Sequence, residues 1–193
     1  MRLPVGADNE GIIYGCALSQ DGRLAALGGI TGNEWDGTHC IYLFDTATGT
    51  LVRRCTGMQG SVFDMDFSPD GQQLAVGLGV SGLRIFNTAT GTLIAEDRDY
   101  GDRIGGLDWK DNRVLATTCD DSHLRRYEMP PPAPGQREVI LQLTPAQKIK
   151  TTAGINPNTP RFSPDGKTLA VGFRDVAKVA LYSANTLEPM PES

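Results

Sequence analysis

Two histidines, four cysteines and several close-set aspartates are the residues of this chain with the chemistry for catalysis or metal binding. The densest group is Asp120-Asp121-Ser122-His123, two carboxylates, a hydroxyl and an imidazole in consecutive positions. Its spacing does not suit zinc, whose sites usually draw His or Cys pairs together. A tight turn whose aspartate oxygens accept backbone N–H groups accounts for the same residues. Gly79-Val80-Ser81-Gly82 falls short of a nucleophile elbow, because Leu83 stands where the last glycine belongs. Gly77 and Gly79 are followed by no Gly-Lys-Ser/Thr and no expected helix, so they are no phosphate loop. Cys16, Cys40, Cys55 and Cys119 include no Cys-x-x-Cys, and three sit in or beside apolar stretches. Buried free thiols in a cytoplasmic setting are the expectation. No convergent nucleophile, base and orienting group emerges, so the chain reads as non-enzymatic, with no cofactor and no metal.

The residues suited to binding stand in expected loops, which carry contacts when a rigid scaffold holds them. His39 follows the stretch Gly32-Asn33-Glu34-Trp35-Asp36-Gly37-Thr38. An exposed Trp35 there, flanked by Asp36 and His39, is a candidate anchor for a partner, since tryptophan is over-represented at binding hot spots. The charged connection Glu96-Asp97-Arg98-Asp99-Tyr100-Gly101-Asp102-Arg103 supplies Asp99 and Tyr100 as a second candidate patch for a basic partner. Pro130-Pro131-Pro132-Ala133-Pro134 could adopt a polyproline II conformation, but a stiff loop explains it as well.

The elements that must position these residues announce themselves by repetition. Phe-Ser-Pro-Asp-Gly occurs at residues 67–71 and 162–166, each followed by Leu-Ala-Val-Gly, at 74–77 and 169–172. Thr-Ala-Thr-Gly-Thr-Leu occurs at 46–51 and 88–93, after Phe44-Asp45 and Phe86-Asn87. The aromatic positions Phe44, Phe86, Tyr127 and Tyr182 lie 42 (86−44), 41 (127−86) and 55 (182−127) residues apart. The first two spacings match a unit of four short strands, and the third carries an insertion in proline-rich stretches near 129–135 and 154–160. Within each unit, turn signals every 8–12 residues predict antiparallel strands. The third unit is expected to end on a weak strand at 139–143, and the first strand of the fourth is poorly defined.

These residues resemble the WD-repeat family of β-propellers over essentially the whole chain. Leu74-Ala75-Val76-Gly77, Leu83-Arg84-Ile85-Phe86-Asn87, residues 115–121 and residues 124–128 carry the likeness in the order and spacing of that family. The resemblance implies an all-β fold of four antiparallel, four-stranded blades, part of a propeller ring. The expected blades are 11–57, 58–101, 102–146 and 147–193, the last incomplete. No Trp-Asp pair is present, and Gly57-Met58 stands where the family places Gly-His. The family's buried Asp–His–Ser/Thr–Trp network therefore lacks its usual members, and plain apolar packing is expected in its place. Residues 9–11, 31–37 and 96–102 are also similar to propeller regions of large bacterial multidomain proteins, some with a caspase-like peptidase domain elsewhere.

A chain of 193 residues fits a single domain. A net charge of −5 argues against nucleic acid or an anionic membrane as the primary partner. Arg53-Arg54 and Arg125-Arg126 are expected to point outward from strands. No apolar run reaches membrane-spanning length, and Met1 to Asp8 shows no apolar signal core. The function this implies is a protein–protein interaction scaffold; the alternative is a regulatory or sensing segment of a larger bacterial enzyme such as a caspase-like protease. An unclosed ring leaves strand edges and an apolar face open. A homodimer completing the ring, or continuation in a longer chain, would close it.

Overall fold

In a computed structural model, residues 11–32, 38–130 and 139–191 are described, and they form four β-sheets with no helix. The first sheet runs in sequence order through β1 (Ile12–Leu18), β2 (Leu24–Ile30), β3 (His39–Asp45) and β4 (Leu51–Met58). The second holds β5 (Val62–Phe67), β6 (Gln73–Leu78), β7 (Leu83–Asn87) and β8 (Leu93–Asp97). The third holds β9 (Ile104–Trp109), β10 (Val114–Cys119) and β11 (His123–Glu128). A short β12 (Leu141–Gln142) and β13 (Gln147–Lys150) follow, and the fourth sheet is β14 (Pro157–Phe162), β15 (Thr168–Phe173) and β16 (Val179–Ser183). The first strands β1, β5, β9 and β14 lie side by side, so the sheets are successive blades of a propeller.

Two elements depart from expectation. The outer strand of the third sheet is β13, paired with β11, and not the run at 139–143. Leu141 and Gln142 instead pair in parallel with Ala95 and Glu96 and make a fifth strand on the second sheet. Leu141 and Gln142 so cover the outer edge of the neighbouring blade before the chain returns to β13. The second departure is β14, a strand where prolines imply a loop. Pro160 stands at a bulge in the pairing with β15, on an innermost strand whose other edge has no neighbour within its sheet, so its missing N–H costs no ladder bond.

One end of the blades is built from repeated turns. Ser68 Oγ donates to Asp70, accepts the Gln73 N–H at 3.0 Å, and Asp70 accepts the Gln72 N–H at 3.0 Å. Ser19-Asp21-Leu24 and Ser163-Asp165-Thr168 repeat these bonds. Gly71 closes the turn at φ 70°, a left-handed conformation that favours glycine. In the other turn, Asp45 accepts the Thr48 N–H and Asn87 accepts those of Ala89 and Thr90.

Three apolar clusters lie between successive sheets. Ala26, Ile41 and Leu43 pack on Val62, Met65, Phe67, Leu74 and Val76. Ala75, Leu83 and Ile85 pack on Ile104, Leu107, Trp109 and Tyr127. Ala116 and Leu124 pack on Leu169, Val171 and Tyr182. Each blade is thus apolar on both faces, as the unbroken runs in β6 and β10 require. Cys40 and Cys55 are buried in the first of these layers and Cys119 is buried at the end of β10, while Cys16 is exposed on β1. Burial raises the thiols of Cys55 and Cys119 to about 12.

Candidate interaction site

Opposite the repeated turns, the second, third and fourth blades each carry a different pair of loops among the described residues. Residues 31–38, 79–82, 120–122 and 174–178 connect second to third strands, and 59–61, 98–103 and 151–156 lead between blades. The paired loops are zipped at one register: Gly79 N–H to Ser61 carbonyl, Asp120 N–H to Arg103 carbonyl, and Arg174 N–H to Asn156 carbonyl. A common rigid neck therefore presents loops of different sequence.

Just below this rim each innermost strand breaks register, between Ile13 and Gly15, Val62 and Asp64, Ile104 and Gly106, and Asn158 and Pro160. The extra residues are Tyr14, Phe63, Gly105 and Thr159; a bulge of this kind re-aims a side chain. Two of them form a platform. Tyr14 stacks on Phe63 with ring centres 5.2 Å apart and planes 6° from parallel. The Arg103 guanidinium lies 4.8 Å from the Phe63 ring centre. Arg103 also holds Asp120 at 2.9 Å, and Asp120 takes Arg174 of the fourth blade at 2.7 Å. Tyr14, Phe63, Arg103, Asp120 and Arg174 thereby make a continuous row across all four blades. Tyr14 and the Arg174 side chain remain 47% and 42% exposed, enough to meet a partner.

Of the residues singled out from sequence, His39, Asp99 and Tyr100 sit at this end but not in one cluster. Trp35 and Asp36 lie outside the described residues. The loop that carries them is pinned at its base, where the Thr31 hydroxyl donates to the Cys40 carbonyl at 2.6 Å and the Cys40 N–H to the Thr31 carbonyl at 3.0 Å. His39 opens β3 in the first sheet. Asp99 and Tyr100 lie between the second and third, where Asp99 is exposed and meets Lys148 at 3.5 Å.

Tyr100 is committed inward. Its hydroxyl meets Thr117 at 2.7 Å and Tyr127 at 2.8 Å, and Tyr127 donates to Asp97 at 2.7 Å. Arg125 lies over the Tyr100 ring at 4.1 Å and forks onto both oxygens of Asp121. Burial alone would raise the Asp121 carboxyl, but the Arg125 guanidinium outweighs it and holds it well below the usual range. Burial and then the neighbouring Tyr100 raise the Tyr127 phenol. This network corrects two expectations. The junction of the second and third blades rests on a buried polar network as well as apolar packing. Arg125 and Arg126 are 1% and 6% exposed, not outward, because Asp121 and Glu128 neutralise them in place.

The Asp120–His123 group is a turn. Ser122 N–H donates to the Cys119 carbonyl and Asp121 accepts the His123 N–H at 3.0 Å. The Ser122 hydroxyl donates to the Ile155 carbonyl at 2.8 Å, and His123 Nδ1 faces the Asp121 carbonyl. Serine and histidine are therefore each held by backbone and not by one another.

On the innermost strands a second ladder links the blades. Asp64 accepts the Leu107 N–H at 2.9 Å, Asp66 that of Trp109 at 3.3 Å, and Asp108 that of Phe162 at 2.7 Å. Burial raises all three carboxyls, Asp66 to about 6. Sequence reasoning did not single these out, nor the Tyr14–Arg174 row. The aspartates alternating in Val62-Phe63-Asp64-Met65-Asp66-Phe67 were the one visible signal.

Residues 49–83 match the WD domain, G-beta repeat. A segment of 82 residues is 30% identical to cell division cycle 20.1, cofactor of APC complex, from Arabidopsis thaliana. That segment is 41% of this chain and 18% of the relative, so the match spans under a fifth of the relative's length. Among solved structures, the fold superposes on a chain of the crystal structure of the mitotic checkpoint complex with a TM-score of 0.74 at 17% identity. The superposition takes in 96% of this chain and 52% of that one. At that identity the likeness establishes the fold, four blades of a WD-type propeller.

Proposed function

We propose that this chain is a non-enzymatic propeller module that binds a protein partner through the loop end of its blades. The observation that carries the reading is the asymmetry of the two ends. One end repeats the same Ser-Asp and Asx turns, which serve the fold. The other carries different loops above a shared neck in the second, third and fourth blades, together with the Tyr14–Phe63 stack and the Arg103–Asp120–Arg174 row. The similar proteins are, by their names, a cofactor of one complex and a member of another, which supports a protein partner here. His39 and Asp99 are at the same end, and Trp35 and Asp36, outside the described residues, are kept as candidates from the sequence.

Affinity capture with quantitative mass spectrometry tests this. Tyr14→Ala with Arg174→Ala is expected to reduce recovery of the partners at least tenfold, while Asp21→Ala at the turn end leaves it unchanged. Equal recovery from both variants overturns the assignment.

Two finer statements go with this reading. A second copy of the chain or continuation in a longer one completes the ring, and the module works in the cytoplasm, where its free thiols stay reduced. The alternative reading, a regulatory segment of a larger bacterial enzyme, rests on family analogy alone. A peptidase domain in the same or an adjacent reading frame would favour it.

A further inference from the structure

The outer edges of the first three sheets are finished in two different ways. β4 closes the first sheet with Arg53 and Arg54 exposed, and β13 closes the third with Lys148 and Lys150 exposed. Exposed charges on an outermost strand discourage a further strand from pairing there. β8 carries no lysine or arginine; its Leu93 and Ile94 are half-buried, and Ala95, Glu96 and Asp97 are buried. Among the described residues it is this uncharged edge that a further strand, β12, covers. The covering is slight and specific. Leu141 pairs with Ala95 and Gln142 with Glu96, in parallel. The Leu143 N–H donates to the Glu96 carbonyl at 2.7 Å, and the Gln142 side-chain amide donates to Glu96 Oε1 at 2.9 Å. Leu143, like Ile94 and Tyr100, packs against the buried cluster between the second and third blades. The residues before it stay open, with Val139, Ile140 and Leu141 77%, 43% and 40% exposed. Segments with so few buried apolar contacts are the first to open.

We propose that the edge of β8 is a docking site for an extended segment of a partner protein, and that residues 139–143 are its built-in occupant, a strap that a competing segment displaces. The strap itself gives the chemistry of what fits. The main chain runs parallel to β8 past Ala95 and Glu96, a side-chain amide donates to Glu96, and an aliphatic residue follows to pack beside Ile94 and Tyr100. In strand addition of this kind main-chain bonds give affinity and side-chain seats give selectivity. Glu96 sets the choice of an amide. Arg84 and Arg98 already pair with its Oε2 at 3.2 and 3.1 Å, so a neutral donor suits the remaining oxygen better than a third cation. The site lies on the outermost strand of one blade, and the inference does not rest on the loop-end reading.

A labelled synthetic peptide of residues 139–145 is the probe, and the full chain carrying Gln142→Ala with Leu143→Asp is the form whose edge is vacated. Fluorescence anisotropy is expected to show the peptide binding this variant at least tenfold more tightly than wild type, whose own strap competes. Peptides that themselves carry Gln142→Ala or Leu143→Asp bind the variant at least tenfold more weakly. Hydrogen exchange at residues 93–97 is faster in the variant than in wild type and is slowed again by the peptide. A variant that keeps the wild-type circular dichroism spectrum yet binds no peptide, or equal binding to variant and wild type, overturns the proposal. Wild type alone gives a second readout that needs no variant. Its Leu143 amide is expected to exchange at least a hundredfold faster than the amides of β7; equal protection would mean that the strap opens only with the whole blade, and overturns the proposal too. A wild-type dimer that the variant does not form would assign the edge to the strap of a second copy and so overturn the partner assignment.

Discussion

Asp66 shows how one residue couples the blades to pH. Its carboxyl reaches across to the Trp109 N–H of the next innermost strand, and burial raises it to about 6. A carboxyl whose folded value is raised binds its proton more tightly in the folded state. Its charge therefore costs stability at pH 7, and that cost is relieved as pH falls through 6 towards the unfolded value of 3.8. Asp64 and Asp108 are raised too and act in the same direction. Asp66→Asn keeps an acceptor for Trp109 and removes the charge. It is expected to stabilise the fold at pH 7.5 by about 1 kcal/mol, roughly 2–4 °C in Tm, and by close to nothing at about pH 3.5, below the unfolded value. Thermal melts at both pH values check this; an equal shift at both would discount the charge as the cause. Tyr127 is the second residue to test. Tyr127→Phe strips the donor from Asp97, itself 4% exposed, and is expected to cost about 1–3 kcal/mol in urea unfolding. A change within 0.5 kcal/mol would mean the polar network adds little to packing.

Among the elements, strands β6 and β15 offer a controlled comparison, because each carries Leu-Ala-Val-Gly in the same register. A Cβ on Gly77 would come within 2.6 Å of Ile104, a packed neighbour of the third blade. A Cβ on Gly172 would meet nothing closer than 3.5 Å. Gly77→Ala is therefore expected to destabilise by about 1–3 kcal/mol and Gly172→Ala to be tolerated in the single chain. Chemical denaturation of the two variants side by side checks the pair, and equal costs would mean that backbone entropy and not the neighbouring blade decides. The same strands show how much of an element the sequence announces. The repeated motifs were enough to place β6, β15 and the turns before them, because each turn is satisfied by residues within a few positions. β12 was not placeable. Its partner β8 lies more than forty residues away, and nothing in Val139-Ile140-Leu141-Gln142 distinguishes an outer strand of its own blade from a strap on the previous one.

For the whole molecule, the first and fourth blades each turn an apolar face outward, with Ile13 and Leu18 43% and 65% exposed and Val179 and Leu181 67% and 46%. If two copies close a ring, the folded state is linked to association, and Tm must rise with protein concentration. Melts over a hundredfold range of concentration are expected to shift upward by several degrees, whereas Leu181→Asp should melt at one temperature throughout. A concentration-independent wild-type Tm would argue that these blades are stable without a further neighbour.

By itself the sequence determined the repeat, the strand-turn grammar and the all-β class, since these depend on contacts between residues close in the chain. It also singled out candidate binding residues in expected loops; Asp99 and Tyr100 lie in one, whereas His39 is the first residue of β3. Only the tertiary structure decided which of them face a partner. Tyr100 reads as an exposed anchor until Thr117, Tyr127 and Arg125, distant in sequence, enclose its hydroxyl and ring. Tyr14, Phe63, Arg103 and Arg174 read as unremarkable strand and loop residues until bulges and blade packing align them. Burial and alignment are set by neighbours one repeat away, and the local signals of a repeat protein are nearly the same in every unit.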